Sequence, residues 1–378
     1  MLEIVDHDKN ICPKILVIGV GGGGNNAVDR MIDADLSGVT FAAINTDQAV
    51  LQNSKAEIKL QIGEKILKGY GAGADPSLGE AAAIENEDNI KEIISEMDMV
   101  IITCGMGGGT GTGATPFIAK CCKDAGVLTI GVVTLPFTFE NKPRMVAAES
   151  GITKLKENVD TLLVIPNDKL LNITDRQLKL EDAFVLADSV LKYSIEGITN
   201  IVYNLGAVNI DFNDLRTTLT NKGIGHLGIG TVDADVSILE AVKQAVNSPL
   251  LDTSIAGAEM ILLNTSGNVT LLALNEAASY LRELAGENVN IIWGTVSEKD
   301  NIADNITVTL IATGMPEKAK KLEMNVQRDW NNKKNNSQVS NSKSSISENI
   351  KNTQFDKKLH RERKEVEIPI FLRNYNSF

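Results

Sequence analysis

Residues 99–116, MVIITCGMGGGTGTGATP, decide how the rest of the chain is read. Val100, Ile101 and Ile102 make a short apolar run of the kind that fills a strand covered on both faces. It empties into Gly105, Gly107, Gly108, Gly109, Thr110, Gly111, Thr112 and Gly113, where almost no side chain is left. Such a segment lets backbone approach a ligand closely and presents several N–H groups in one concavity, with the Thr110 and Thr112 hydroxyls as further donors. Residues 114–125 then read as a helix that tolerates Pro116 in its first turn and points its N-terminus at the same anion. The pattern predicts a phosphate-binding loop rather than a plain connector.

At 378 residues the chain exceeds one ordinary domain, and two domains plus a tail are expected. The first ten residues, MLEIVDHDKN, lack a basic leader followed by an apolar stretch. No run approaches the roughly 18 apolar residues of a spanning helix, so a cytoplasmic protein without direct membrane insertion is expected. Cys12, Cys104, Cys121 and Cys122 have no C-x-x-C spacing and only three histidines to help them. Neither a zinc site nor a disulfide framework is predicted, and the cysteines read as packing residues. The last 63 residues carry 14 Lys and Arg against 8 Asp and Glu, leaving 23 against 41 in the acidic remainder. An acidic body argues against nucleic acid as a partner, because phosphate-backbone binding needs a basic face.

Residues 14–20 (KILVIGV) read as a strand, followed by Gly21, Gly22, Gly23, Gly24, Asn25 and Asn26 and a helix over 27–34. Gly19, Gly21 and Gly24 satisfy the G-x-G-x-x-G dinucleotide fingerprint. A second strand, 41–44, ends in Asn45, Thr46 and Asp47, and Asp47 lies where a ribose-binding acid would stand in an NAD(P)-dependent oxidoreductase. That alternative leaves the glycine loop at 105–113 unexplained, and a third at 69–73 (GYGAG). Three glycine loops after strands of one parallel sheet would converge on a pocket holding several phosphates, which favours a nucleoside triphosphate. An ordinary P-loop is excluded, since no G-x-x-x-x-G-K-[ST] occurs.

Strands at 128–134 and 161–165 and a helix at 144–156 extend a mostly parallel α/β sheet. Residues 180–205 read as one long helix with Phe184, Leu186, Ala187, Val190, Leu191, Ile195, Ile198, Ile201, Val202 and Leu205 spread around much of its circumference, hence a buried helix between two domains. A second α/β unit follows, with strands near 227–231, 258–265, 290–295 and 306–312 and helices near 236–247 and 274–285. Residues 331–345 (NNKKNNSQVSNSKSS) cannot bury enough apolar area to offset chain entropy and read as a flexible linker. The apolar island VEIPIFLR at 366–373 reads as a peptide that orders on a partner.

With GGGTGTG at 107–113 joined to GVGGGGNNAV at 19–28, the chain resembles the FtsZ family of bacterial tubulin-like cell-division GTPases. GAGADP at 71–76, NDKL at 167–170, NIDFNDLR at 209–216 and EIPIFLR at 367–373 extend the resemblance over nearly the whole chain. It implies an α/β fold with a tubulin-like, Rossmann-like GTP-binding domain at 1–180 and a central helix at 181–206. A second α/β domain at 207–315, a disordered linker at 316–365 and a partner-binding peptide at 366–378 would follow. GTP or GDP would be bound, with Mg2+ carried on the nucleotide.

By the same resemblance, Gly22, Gly23, Gly24, Asn25, Asn26, Ala72, Gly73, Ala74, Gly107, Gly108, Gly109, Thr110, Gly111, Thr112 and Gly113 correspond to phosphate contacts. Glu140 and Arg144 correspond to sugar contacts, and Asn167 and Asp188 to base recognition. A carboxylate can accept from guanine N1–H and N2–H together, which adenine cannot match. Asn209, Asp211 and Asp214 would enter the nucleotide pocket of the next subunit and orient the attacking water. Read without the resemblance, Asp211 and Asp214 are what helix capping selects. The resemblance further implies a head-to-tail homopolymer assembled at midcell and membrane-tethering adaptors bound through 367–373. Three departures stand out: Asn25 replaces a usual glycine, where a positive φ would matter, and His226 and Trp293 replace smaller or aliphatic residues and read as packing variants.

Overall fold

The computed structural model describes residues 12–36, 38–172, 179–203, 210–248, 253–267, 269–296 and 305–316. Asn209, the linker beyond Pro316 and the terminal peptide lie outside the described residues.

In chain order, β1 (Ile15–Val20) leads into α1 (Gly21–Asp33), β2 (Val39–Asn45) into α2 (Gln48–Asn53), and β3 (Ile58–Gln61) into α3 (Glu64–Leu67), α4 (Pro76–Glu85) and α5 (Glu87–Ile94). Next come β4 (Met99–Gly105) and α6 (Thr110–Asp124), then β5 (Leu128–Leu135), a 3-10 turn (Thr138–Glu140) and α7 (Lys142–Lys156). After β6 (Thr161–Pro166) and a 3-10 turn (Asn167–Asn172) stand α8 (Leu180–Tyr203), α9 (Phe212–Leu219) and β7 (Gly223–Ile224). The seven strands are parallel throughout, in the order β3-β2-β1-β4-β5-β6-β7. Strand order reverses between β1 and β4, and in a doubly wound sheet the crevice outside the carboxyl ends at that point is the ligand site.

β8 (His226–Asp233), α10 (Ile238–Val246), β9 (Met260–Ser266), α11 (Leu271–Ala285), β10 (Asn290–Val296) and β11 (Asn305–Thr313) form the second unit. Its sheet runs β10-β9-β11-β8, with β10 parallel to β9 and β11 antiparallel to β9 and β8. Gly228 and Gly230 let α10 lie directly on β8, since a Cβ on either would sit 1.8 Å from Ala245 O or 1.9 Å from Ala241 O. On the same face His226 donates from Nε2 to Ala245 O (3.1 Å) and accepts at Nδ1 from the Thr253 hydroxyl (2.8 Å). Burial lowers its pKa, so it packs as a neutral ring. Trp293 packs half-buried against the same core.

Alternate side chains of β1 feed two cores: Ile15 and Val17 face α1 and α8, while Leu16, Ile18 and Val20 face α4, α5 and α6. The first core also takes in Leu227, Leu262 and Ile311 of the second sheet, so α8 is packed between both sheets. From Leu186 to Tyr203 no residue of α8 is exposed, as its apolar circumference requires.

Four local expectations are corrected. α1 begins at Gly21 and α6 at Thr110, so the glycines read as loop are first helical turns, and Pro116 stands in the second turn of α6. The 69–73 segment follows α3 rather than a strand. Phe184 is exposed, although Ala183 and Leu186 on either side of it are buried. Cys12 is exposed at the entry to β1, while Cys104, Cys121 and Cys122 are buried packing residues. Gly113→Ala should lower stability by about 1–3 kcal/mol, because its Cβ would stand 1.9 Å from Pro76 O. Gly108→Ala, with open space at its Cβ, should stay within about 0.5 kcal/mol of the parent; urea midpoints of the two variants test the contrast.

Candidate nucleotide site at the β1/β4 switch point

Two helices start at the switch point with no side chain capping either: Val20 precedes α1 and Gly109 precedes α6. Uncapped first turns leave N–H donors and the positive end of each helix dipole for an anion. Glycine brings these ends together, since a Cβ on Gly21 would stand 2.9 Å from Gly111 N and one on Gly111 3.3 Å from Val20 O. The third segment joins them: a Cβ on Gly109 would meet Ala72 Cβ and Asp75 N at 2.9 Å. The expected convergence of three glycine segments is therefore present. Gly22, Gly73 and Gly108, one from each, have nothing within 4 Å of a Cβ position, which leaves room for a bound group. Ala74 takes a left-handed φ of 63°, strain of a kind that concentrates at ligand loops.

Side chains lock this backbone. Asn25 is helical and buried, so no positive φ is needed there; its Nδ2 donates to Gly19 O (2.9 Å) and its Oδ1 accepts from Asn45 Nδ2 (2.6 Å). Asn45 Oδ1 accepts in turn from Asp47 N (3.2 Å). Asp47 caps α2 by accepting from Ala49 N and Val50 N, so the carboxylate read as a ribose acid is engaged locally. The Thr110 hydroxyl pairs with that of Thr46 at 2.6 Å, and Thr112 Oγ1 accepts from Gly107 N at 2.8 Å. Both threonine hydroxyls thus also shape the loop.

Glu140, Arg144 and Asn167 stand on segments that follow β5 and β6. A Cβ on Gly107 would stand 2.9 Å from Arg144 O, which places the start of α7 beside the glycine loop. Glu140 Oε1 accepts from Phe137 N (2.9 Å), and its Oε2 pairs with Arg144 Nη1 at 2.7 Å. Thr138 N donates to Asp168 Oδ1 (2.9 Å), tying this turn to the one holding Asn167. Asn167, directly after β6, is buried and its Oδ1 has no hydrogen-bond partner among the described residues. Phe137 stacks on Phe139 and meets Phe184 edge-on, with centroids 5.0 and 5.6 Å apart. One turn beyond Phe184 on α8, Asp188 is buried and accepts at Oδ2 from Arg30 Nε at 3.1 Å. Burial pushes its pKa up to about 6 against the opposing pull of Arg30.

Residues 14–175 match the Tubulin/FtsZ family GTPase domain, and residues 223–316 match the FtsZ family C-terminal domain. An FtsZ dimer structure from M. jannaschii is 41% identical, covering 80% of this chain and 88% of its own, with a TM-score of 0.74. This chain belongs to the FtsZ family. It is a GTPase with the tubulin-like fold. Two Haloferax volcanii structures share that fold at lower identity: CetZ1, a GDP-bound monomer (23% identical, covering 80% of this chain and 95% of its own, TM-score 0.71), and CetZ2, a GTPγS-bound protofilament (18%, 85% and 99%, 0.70).

Within this FtsZ-family chain, Asp211 and Asp214 stand apart from the crevice. Asp211 caps α9 by accepting from Asp214 N at 2.8 Å, so the capping reading is realised. The C-terminal turns of α9 are tied to the opposite edge of the parallel sheet. Arg216 donates to Gly126 O past the end of α6, and Thr161 Oγ1, at the start of β6, donates to Leu219 O. The length of α6 alone, 15 residues, puts about 20 Å between that edge and the glycine loop. Among the described residues no cluster of His, Cys, Asp or Glu could hold a metal, and no helix is long and apolar enough to cross a membrane.

Sequence reasoning missed Arg30, Asn45 and Thr46 as parts of the site. Polar residues directly after an apolar strand were the available signal for Asn45 and Thr46, whereas nothing local pairs Arg30 with a residue 158 positions away. Asn25→Gly should cost about 1–3 kcal/mol by leaving Gly19 O and Asn45 Nδ2 buried without partners, plus about 0.5–1 for glycine inside a helix. A drop in melting temperature with retained fold checks this.

Proposed function

We propose that this chain binds and hydrolyses GTP at a site shared between head-to-tail subunits, forming the filaments of a cell-division ring. The observation that carries this reading is the span between the glycine cradle and α9, which keeps Asp211 and Asp214 out of reach of a nucleotide on their own chain. In the reading, Gly22 to Asn26, Ala72 to Ala74 and Gly107 to Gly113 hold the phosphates through backbone N–H groups, and Glu140 and Arg144 hold the ribose. Asn167 and Asp188 select guanine, with Phe184 offering an exposed ring face beside them. Asp211 and Asp214 of the next subunit, with Asn209, position and polarise the attacking water. Phosphoryl transfer asks the protein mainly for such positioning and charge placement. Mg2+, carried on the nucleotide, would neutralise phosphate charge. A head-to-tail contact of this kind is heterologous and does not close, which favours open filaments.

Identity of 41% to FtsZ, against 23% and 18% to the CetZ proteins, and the match to the FtsZ C-terminal domain support the division role over a CetZ-like one. The protein is accordingly assigned to the cytoplasm and to midcell, with 367–373 as the docking peptide for membrane-tethering adaptors. Midcell fluorescence of a tagged chain that restores division in depleted cells tests the role.

Asp211→Asn separates chemistry from capping: asparagine caps as well as aspartate but carries no charge. The variant should keep the α9 fold and GTP affinity while losing most hydrolysis, on the order of 100-fold or more. Specific activity of the parent should rise with concentration above a threshold, and full-rate hydrolysis by a monomeric preparation would refute the shared site. Removal of 367–378 should leave hydrolysis and filaments near normal while abolishing adaptor binding, read by co-sedimentation.

A further inference from the structure

Arg30 lies on α1, outside the glycine segments, and reaches across to α8, where its Nε meets Asp188 Oδ2 at 3.1 Å. It touches one carboxylate oxygen by one N–H, and no other hydrogen bond among the described residues reaches the group. An ionised carboxylate has about four acceptor sites, so this bond leaves the Oδ1 edge and part of Oδ2 unfilled. Other charges on the elements packed against this part of α8 are engaged elsewhere. On α1, Asp29 accepts from Ser54 Oγ and Lys55 N, and Asp33 pairs with Lys55. On the 167–172 turn, Asp168 is held by Thr138 and Lys169 has contacts of its own. β5 brings no charged side chain, and on α8 itself Lys192 lies over the Tyr193 ring. Arg30 is the one cation paired with Asp188 among the described residues.

We infer that Arg30 is a positioning residue for base selection, fixing the Asp188 carboxylate through Oδ2 in the orientation and anionic form that accept from a guanine edge. The inference rests on the reading of Asp188 as the base-recognising group. The chemistry is one of form as well as place: a protonated carboxyl has one donor where guanine N1–H and N2–H both demand acceptors. Burial already drives Asp188 toward that protonated form, with a pKa near 6, and Arg30 is what opposes it. Arg30 is itself partly exposed, so replacing it removes a charge without opening a core cavity.

Binding of GDP and of inosine diphosphate, which lacks the N2 amino group, is measured on the full chain from pH 5.5 to 8.5 for the parent, Arg30→Gln, Arg30→Lys and Asp188→Asn. In the parent, GDP affinity should be level above pH 7 and fall below about pH 6, as Asp188 protonates. Arg30→Gln raises the Asp188 pKa further, so the same fall should begin about one pH unit higher. Affinity should then stand about twofold below the parent at pH 7 and about fivefold below it at pH 6, and recover by pH 8.5. Ratios to the parent at each pH cancel the titration of the nucleotide phosphates. Preference for GDP over inosine diphosphate should shrink in Arg30→Gln, and Arg30→Lys should restore most of it.

A pH-independent loss, equal for both nucleotides, would mean that Arg30 merely braces α1 against α8 and would overturn the inference. So would an unchanged pH profile in Arg30→Gln alongside weakened binding in Asp188→Asn. Full GDP affinity in Asp188→Asn would instead sink the base-recognition reading itself. If Arg30→Gln does not fold, Arg30→Lys decides: its single ammonium keeps the charge, so parent-like affinity and nucleotide preference support the inference, and a pH-independent weakening equal for both nucleotides overturns it.

Discussion

The structure depends on backbone meeting backbone at the β1/β4 switch point. Two helices can begin there nearly in contact only because Gly21 and Gly111 carry no Cβ, and each begins without a capping side chain. Leaving helix N-termini uncapped costs stability, on the order of 1 kcal/mol each. The fold accepts that cost where an anion can supply the missing acceptors, and it recovers rigidity from the buried Asn25–Asn45 and Thr46–Thr110 contacts. Those contacts explain why the site is polar yet dense. Asn25, Asn45, Thr46, Thr110 and Thr112, which look free in the sequence, are engaged around the glycine backbone.

The side proposed to meet the base follows a different logic. There the fold buries ionisable and polar groups, Asp188 and Asn167, at positions where desolvation works against them. A buried carboxylate held by one arginine N–H is poised rather than satisfied, and an orphaned amide oxygen nearby is in the same condition. Such groups belong where a ligand completes them. Under the proposed reading, phosphate and base recognition divide between backbone and side chains.

Much of this was legible because apolar periodicity is decided locally. Each strand expected in the described residues forms within a few residues of its predicted bounds, as with 260–266 against 258–265, and the long helix is buried as its composition demanded. Helix starts were misread because glycine has poor helix propensity, and only the tertiary need for close approach makes Gly21 and Thr110 helical. Phe184 obeys the helical spacing of its apolar neighbours, but spacing says nothing of where the core ends. Asp211 was legible as a cap, and that reading coexists with the catalytic one, since capping uses one oxygen.

The burial of α8 has a consequence for how the molecule melts and moves. Its apolar side chains fill a core that draws on both sheets at once, so prising the sheets apart would strip water-free surface from a helix with no exposed side from Leu186 onward. At about 1.5–3 kcal/mol for each large aliphatic residue, the helix's buried Leu186, Val190, Leu191, Ile195, Ile198 and Ile201 represent burial comparable to the whole net stability of an ordinary domain. The two sheets therefore form one cooperative unit. Any shift of the helix that carries Asp188 must be a rigid displacement felt by both halves, which makes α8 a strut between them.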